Sequence, residues 1–294
     1  MSGQTESLGR QISGASDLRV VVRSMKAVAA ASIGQYEKAV ESLGAYTHTV
    51  ELALSACLRQ TSQASPVAEK PRPREGALAL VVFGSDQGLV GSFNEVIVDF
   101  AVDAVRALPG TVKRAWAIGE RAREVLTDSL PDKSIELLPV PGSIDAIAPL
   151  VGQLLVAIEA AREQGEAAEV LIYYNAPKPG SLYEPASRPL LPLDAEWHRT
   201  ISAIKWPTAK LPEVVQGETP ALGAFVREYL FVLLFQACAA SLASETASRL
   251  AAMQRAEKNI EGMLDDLNRT YHRLRQEAID EELFDVISGF DAQA

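Results

Sequence analysis

The stretch Leu222–Gly289, LGAFVREYLFVLLFQACAASLASETASRLAAMQRAEKNIEGMLDDLNRTYHRLRQEAIDEELFDVISG, decides the fold. It contains no proline. Leu250, Met253, Glu257, Ile260, Leu264, Leu267, Tyr271, Leu274 and Ala278 follow one another at alternating steps of three and four, the period of a coiled-coil seam. The spacing predicts one helix of roughly 100 Å that needs a partner helix. Tyr229–Leu242 within it is almost wholly apolar, is flanked by charge and falls short of the roughly 20 residues of a membrane span. It therefore reads as a helix buried on nearly all sides.

The amino-terminal end carries the matching element. Leu8, Gln11, Ala15, Leu18, Val22, Met25, Ala29, Ser32, Tyr36, Ala39, Leu43, Tyr46, Val50, Ala53 and Cys57 keep the same alternation, predicting a second helix of about 75 Å. Every proline lies between Pro66 and Pro220, so the chain reads as helix, middle, helix: 1–60, 77–215 and 221–289. Thr61–Gly76 is polar and proline-bearing, the composition of a linker.

The middle alternates. Ala77–Phe83, Arg114–Ile118, Ile135–Val140 and Glu169–Tyr174 read as strands. Phe93–Leu108, Gly119–Ser129 and Ile144–Gln164 read as the helices between them, which predicts a mostly parallel, Rossmann-like sheet covered on both faces. From Ala176 to Pro220, edge strands and loops are expected. The fold class is thus α/β, with a long antiparallel coiled coil flanking a central domain. If the two helices start level, the second overshoots by roughly 20 residues. The overhang would expose Leu283, Phe284, Val286, Ile287 and Phe290, and a lone helix tip of that character implies a sleeve of other proteins.

Composition narrows the chemistry. A formal net charge of −10 in 294 residues, without a dense basic stripe, argues against binding by phosphate neutralisation. Cys57 and Cys238 stand alone, His48, His198 and His272 are scattered, and neither metal nor nucleophilic catalysis finds a ligand set; no cofactor is expected. The amino terminus carries no secretory or organelle signal. Gly84–Gly91 (GSDQGLVG) lies between a strand and a helix, where phosphate loops occur, but its spacing fits neither dinucleotide nor P-loop patterns. A tight turn, with Asp86 as a cap, is the simpler reading. The alternative is a nucleotide-binding α/β enzyme with a coiled-coil dimerisation arm.

Three blocks resemble a known family, the gamma subunit of rotary F-type ATP synthases. They are Arg23–Ala30 (RSMKAVAA), Gly84–Asn94 (GSDQGLVGSFN), and the carboxy-terminal set Ser241–Glu245, Ala247–Leu250, Met253, Asp266–Asn268, Tyr271, Arg275-Gln276 and Ile279–Gly289. The resemblance implies a non-catalytic rotor shaft inside a ring of three alpha and three beta subunits. It also implies an epsilon subunit and a membrane c-ring as further partners, and a peripheral location on the cytoplasmic face of the plasma membrane. It places Met25 near a beta subunit, Arg249 opposite a moving beta-subunit loop, and Arg275 with Gln276 at a catch against the ring. Asp280 and Glu282 belong to the same implied contact. Three departures stand out. Ala31-Ser32-Ile33-Gly34-Gln35 is neutral where the family is basic, Lys26 stands where an acid is common, and Asp280 replaces a usual threonine. They suggest a variant rotary ATPase with altered beta-subunit contacts.

Overall fold

In the computed structural model, which describes residues 2–61, 76–131, 133–208, 210, 212 and 218–291, the apolar run Ala77–Phe83 is strand β1, buried from its second residue on. Helix α1 (Ser2–Thr61) precedes it; α2 (Phe93–Arg106), β2 (Thr111–Ile118), α3 (Glu120–Ser129), β3 (Ser134–Leu138), α4 (Ile147–Glu163), β4 (Glu169–Lys178), β5 (Ser181–Leu191), α5 (Ala195–Ala203) and α6 (Glu218–Asp291) follow. Of the expected linker Thr61–Gly76, residues 62–75 lie outside the described residues and Thr61 ends α1; of the expected central domain 77–215, residues 213–215 lie outside them too. The chain divides into two compact units, Ser32–Ser248 on one hand and Met1–Ala31 with Arg249–Ala294 on the other.

The larger unit is built on a five-stranded sheet of order β3-β2-β1-β4-β5. β1 to β4 run parallel, and β5 closes one edge antiparallel to β4. Successive side chains of a strand point to opposite faces, and β1 divides accordingly. Ala79, Val81 and Phe83 join Trp116, Ile172, the α4 residues Val151 and Leu154, and the Val50–Leu58 and Val232–Ala243 portions of α1 and α6. Leu78, Leu80 and Val82 join α2 and α3 on the other side. This is the doubly covered α/β sheet that the strand–helix alternation predicted.

By composition, Ile144–Glu163 and Ala221–Phe284 are long and apolar enough to cross a membrane. Here α4 lays Leu150, Val151, Leu154 and Ile158 on the sheet, and Leu234, Ala237, Cys238 and Ala239 of α6 are completely covered. The all-round apolar run of α6 is therefore a core helix. Its alanines, with Ser241 and Ser244, are short enough to let neighbouring backbones approach closely.

In the proline-rich stretch 176–220 the expected edge strand is present and a helix is added. β5 is 11 residues long despite Pro185 and Pro189, because an edge strand need not donate from every backbone position. α5 was not foreseen; Asp194 caps it by accepting a hydrogen bond from the Trp197 amide at 2.8 Å.

The smaller unit holds the outer portions of α1 and α6, which run antiparallel. Its buried line contains Ala15, Val22, Ala29, Met253 and Leu264. Every predicted α6 seam position from Leu250 to Ala278 is buried or half-buried. The α1 seam needs a correction: Leu8, Ala15, Val22 and Ala29 are right, but Gln11 and Leu18 are exposed, and the covered line passes through Ile12, Arg19 and Lys26. Long basic side chains lay their methylene stems along a partner helix, at Arg19 far enough to bury Nε as well, so an apolarity pattern misses them. In the larger unit the same phase holds. Tyr46 is 47% exposed, with its hydroxyl donating to Glu228, while Thr47 faces inward to accept from Gln236.

The overhang is shorter than expected. Arg23 pairs with Glu257 and Glu261, which brings Ser2 level with residues near 280 and leaves roughly ten residues of α6 beyond it. Leu283, Phe284 and Ile287 are exposed there; the side chains of Val286 and Phe290 lie outside the described set.

Candidate partner-contact surface

The tip of α6 carries most of the expected contact residues. Arg275, Gln276, Asp280 and Glu282 are all exposed. Gln276, Asp280, Leu283 and Ile287 recur at helical spacing and share one stripe; Arg275, Ile279 and Glu282 share the next. With Phe284 at 70% exposure, the stripes mix charge with large apolar side chains, the composition of an interface rather than of a solvated helix. Met25 and Arg249 are half-buried and lie elsewhere in the same unit. Arg249 stands about seven turns before Arg275, roughly 40 Å along the helix, so the residues expected to meet partners stand at two levels and not in one cluster.

At the level of Met25 there is a group that the seam pattern did not single out. Arg23 Nε donates to Glu257 Oε1 at 2.7 Å, Arg23 Nη2 to Glu261 Oε1 at 3.0 Å, and Lys26 Nζ to Glu257 Oε2. The hydrogen bonds from Lys26 and Arg23 hold the Glu257 carboxyl below its ordinary value, and Glu257 in turn raises the Arg23 guanidinium. Two cations three residues apart on α1 and two acids four apart on α6 were the available signal. Beside them Leu18, Val21 and Val28 of α1 are exposed.

The glycine loop after β1 is engaged within the fold. Asp86 accepts backbone hydrogen bonds from Glu120 and Val140, each at 3.1 Å, one on each oxygen, so it ties the start of α3 to the end of β3. Asn94 fills the turn, accepting from the Ser85 amide and donating to the Ser85 hydroxyl, each at 2.9 Å. A side chain at Gly84 would lie 2.4 Å from Ala122 and 2.7 Å from the Asn94 oxygen, which leaves only glycine there. Ser248 of α6 donates to the Val90 carbonyl at 2.5 Å. On the other side of the loop Asn175 of β4 donates to the Phe93 carbonyl at 2.9 Å.

A family model described as ATP synthase matches residues 4–293. This chain belongs to the ATP synthase family. Among its relatives, the ATP synthase gamma chain of Brevibacillus brevis is 26% identical, with 97% of each chain covered. That of Salinibacter ruber is 28% identical, with 92% of each covered. The fold is similar to the rotor of the Euglena gracilis mitochondrial ATP synthase (TM-score 0.66, 17% identity, 95% of this chain and 100% of that chain). It is also similar to the central stalk of the Tetrahymena thermophila mitochondrial ATP synthase (TM-score 0.53, 22% identity, 80% and 99%). The resemblance carried by Arg23–Ala30, Gly84–Asn94 and the α6 blocks therefore holds across the chain. The relatives that it matches along its length are ATP synthase gamma chains, and the fold it shares is that of those rotor and central-stalk chains.

Proposed function

We propose that the chain works as a non-catalytic shaft, turning within a ring of three alpha and three beta subunits of an F-type ATP synthase. The regions 1–60 and 221–289 would form the shaft, and 77–215 the foot that meets an epsilon subunit and the membrane c-ring. The exposed apolar end of α6 is the observation that carries this reading. Leu283, Phe284 and Ile287 project past the end of α1, and such a tip needs a surrounding sleeve. Arg275 and Gln276 are the catch against the ring, with Asp280 and Glu282 flanking it; Met25 and Arg249 meet beta subunits at a deeper level. The chain would be peripheral, on the cytoplasmic face of the plasma membrane.

The mechanism is a difference in contact. A rod whose sides differ presents a different surface to each surrounding subunit, and a rotation exchanges those surfaces. Only such differential contact can bias nucleotide affinity from one catalytic subunit to the next. The asymmetry is visible at the α6 tip, where Gln276, Asp280, Leu283 and Ile287 occupy one stripe and Arg275 and Glu282 the neighbouring one.

Co-assembly tests this. Mixed with alpha and beta subunits, the full chain should enter a stable complex and raise ATP hydrolysis, and Arg275→Glu should impair assembly or turnover. No complex and no gain in hydrolysis, or saturable micromolar nucleotide binding by the isolated chain, would sink the shaft reading.

A further inference from the structure

We propose that Arg23, Lys26, Glu257 and Glu261 form a charge clasp that fixes the axial register of α1 on α6, so that the outer coiled coil moves as one body under load. The inference rests on the shaft reading above for its purpose, and on geometry for its existence.

The apolar seam alone is a poor register device. Few of its residues are fully covered, Ala15, Val22, Ala29, Met253 and Leu264, and burial of apolar surface is non-directional. Hydrogen bonds to charged groups are directional and depend steeply on distance. Among the described residues of this unit, the pairs Arg269–Asp266 and Arg273–Glu277 lie within α6 and cannot set register between helices. The clasp joins the two helices at four residues.

Glu257 is its centre. Its side chain is only 14% exposed, and each carboxylate oxygen accepts from a different α1 cation. Arg23 is forked, with one nitrogen on Glu257 and another on Glu261 one turn further. Sliding α1 by one turn, about 5 Å, would break the fork and leave Glu257 half-covered without its partners. Exposed single ion pairs contribute little, but a partly covered network with shared acceptors is the geometry in which they count. The clasp also gives Lys26 a task inside the shaft.

Spin labels at Leu18→Cys and Ile279→Cys, exposed positions on the two helices of this unit that stand roughly 20 Å apart along the axis, read the register in the full chain, because an axial slide then changes their separation almost ångström for ångström. The distance distribution should be single and narrow. Glu257→Ala, which raises helix propensity, should add a population displaced by about 5 Å, one turn. Reversing all four charges, Arg23→Glu and Lys26→Glu with Glu257→Lys and Glu261→Lys, should restore the single distance. An unchanged distribution in Glu257→Ala would overturn the clasp, as would failure of the fourfold reversal to restore it while circular dichroism shows the helices intact. If circular dichroism instead shows lost helix in Glu257→Ala, the group holds the helices together without setting register, and the proposal fails too. ATP hydrolysis by wild-type chain with alpha and beta subunits tests the shaft reading separately, because it does not depend on these variants.

Discussion

The two compact units are held by opposite means. In the sheet-bearing unit, Val81, Trp116, Leu154, Ile172 and Leu234 lose all exposure, and two apolar clusters enclose the sheet. In the outer coiled coil, the covered line is narrow, and charged groups supply the specific contacts between helices. A thick core resists local opening because many contacts must break together; a two-helix seam lets go turn by turn. The comparison teaches where a rotor can be stiff through bulk and where it needs directional bonds.

The difference can be broken from the large side first. Leu154→Ala removes a fully buried side chain between α4 and the sheet and should cost about 2–5 kcal/mol, read by chemical denaturation of the whole chain. A loss below about 1 kcal/mol would show that the core there is less filled than its burial indicates. Asp86→Ala removes both backbone bonds that tie α3 to the end of β3 and should destabilise the sheet unit by about 1–2 kcal/mol. Its effect on hydrolysis in the assembled complex should follow that stability loss; a catalytic collapse with stability intact would give Asp86 a chemical role instead.

The coiled coil should respond to acid before the sheet does. The folded state holds the Glu257 carboxyl below its ordinary value of about 4.3. Its contribution is therefore complete above that value and is lost as pH falls through the lower folded value. Arg23, raised by the same contact, keeps its charge throughout that range. Protection of the amides in residues 19–30, taken relative to intrinsic exchange at each pH, should fall as the medium is acidified below about pH 4, ahead of β1 and β4; equal responses would remove Glu257 from the account. Smallest of all, Gly14→Ala should stabilise the outer helix by up to about 1 kcal/mol, since nothing lies within 4 Å of where the methyl group would stand. A decrease would mean that Gly14 is used for backbone approach.

What the sequence revealed follows the same division. β1 to β4 were legible because buried parallel strands are short apolar runs bounded by turns, as Ala77–Phe83 and Glu169–Tyr174 are. The α6 seam was legible through its heptad spacing. The α1 seam was only half legible, because Leu18 and Tyr46 have the apolarity of core residues yet face outward, while Arg19 and Thr47 do not and face inward. Thr47 turns in because Gln236 supplies a hydrogen bond, a fact about another helix 189 residues away. β5 was legible as an edge strand, though its prolines obscured its length, and α5 could have been found from Asp194 as a cap followed by Trp197 and Ile201 one turn apart. At the surface, Arg275, Gln276, Asp280 and Glu282 were named by resemblance and prove to be exposed together near the α6 tip. The clasp was missed because Glu257 reads both as a seam position and as a flank charge.

The central claim is that this chain turns inside a ring. With the complex fixed to a surface through its beta subunits and a bead attached to the sheet-bearing unit, addition of ATP should produce stepwise rotation in one direction. ATP hydrolysis in such complexes without directed motion of the bead would contradict the account.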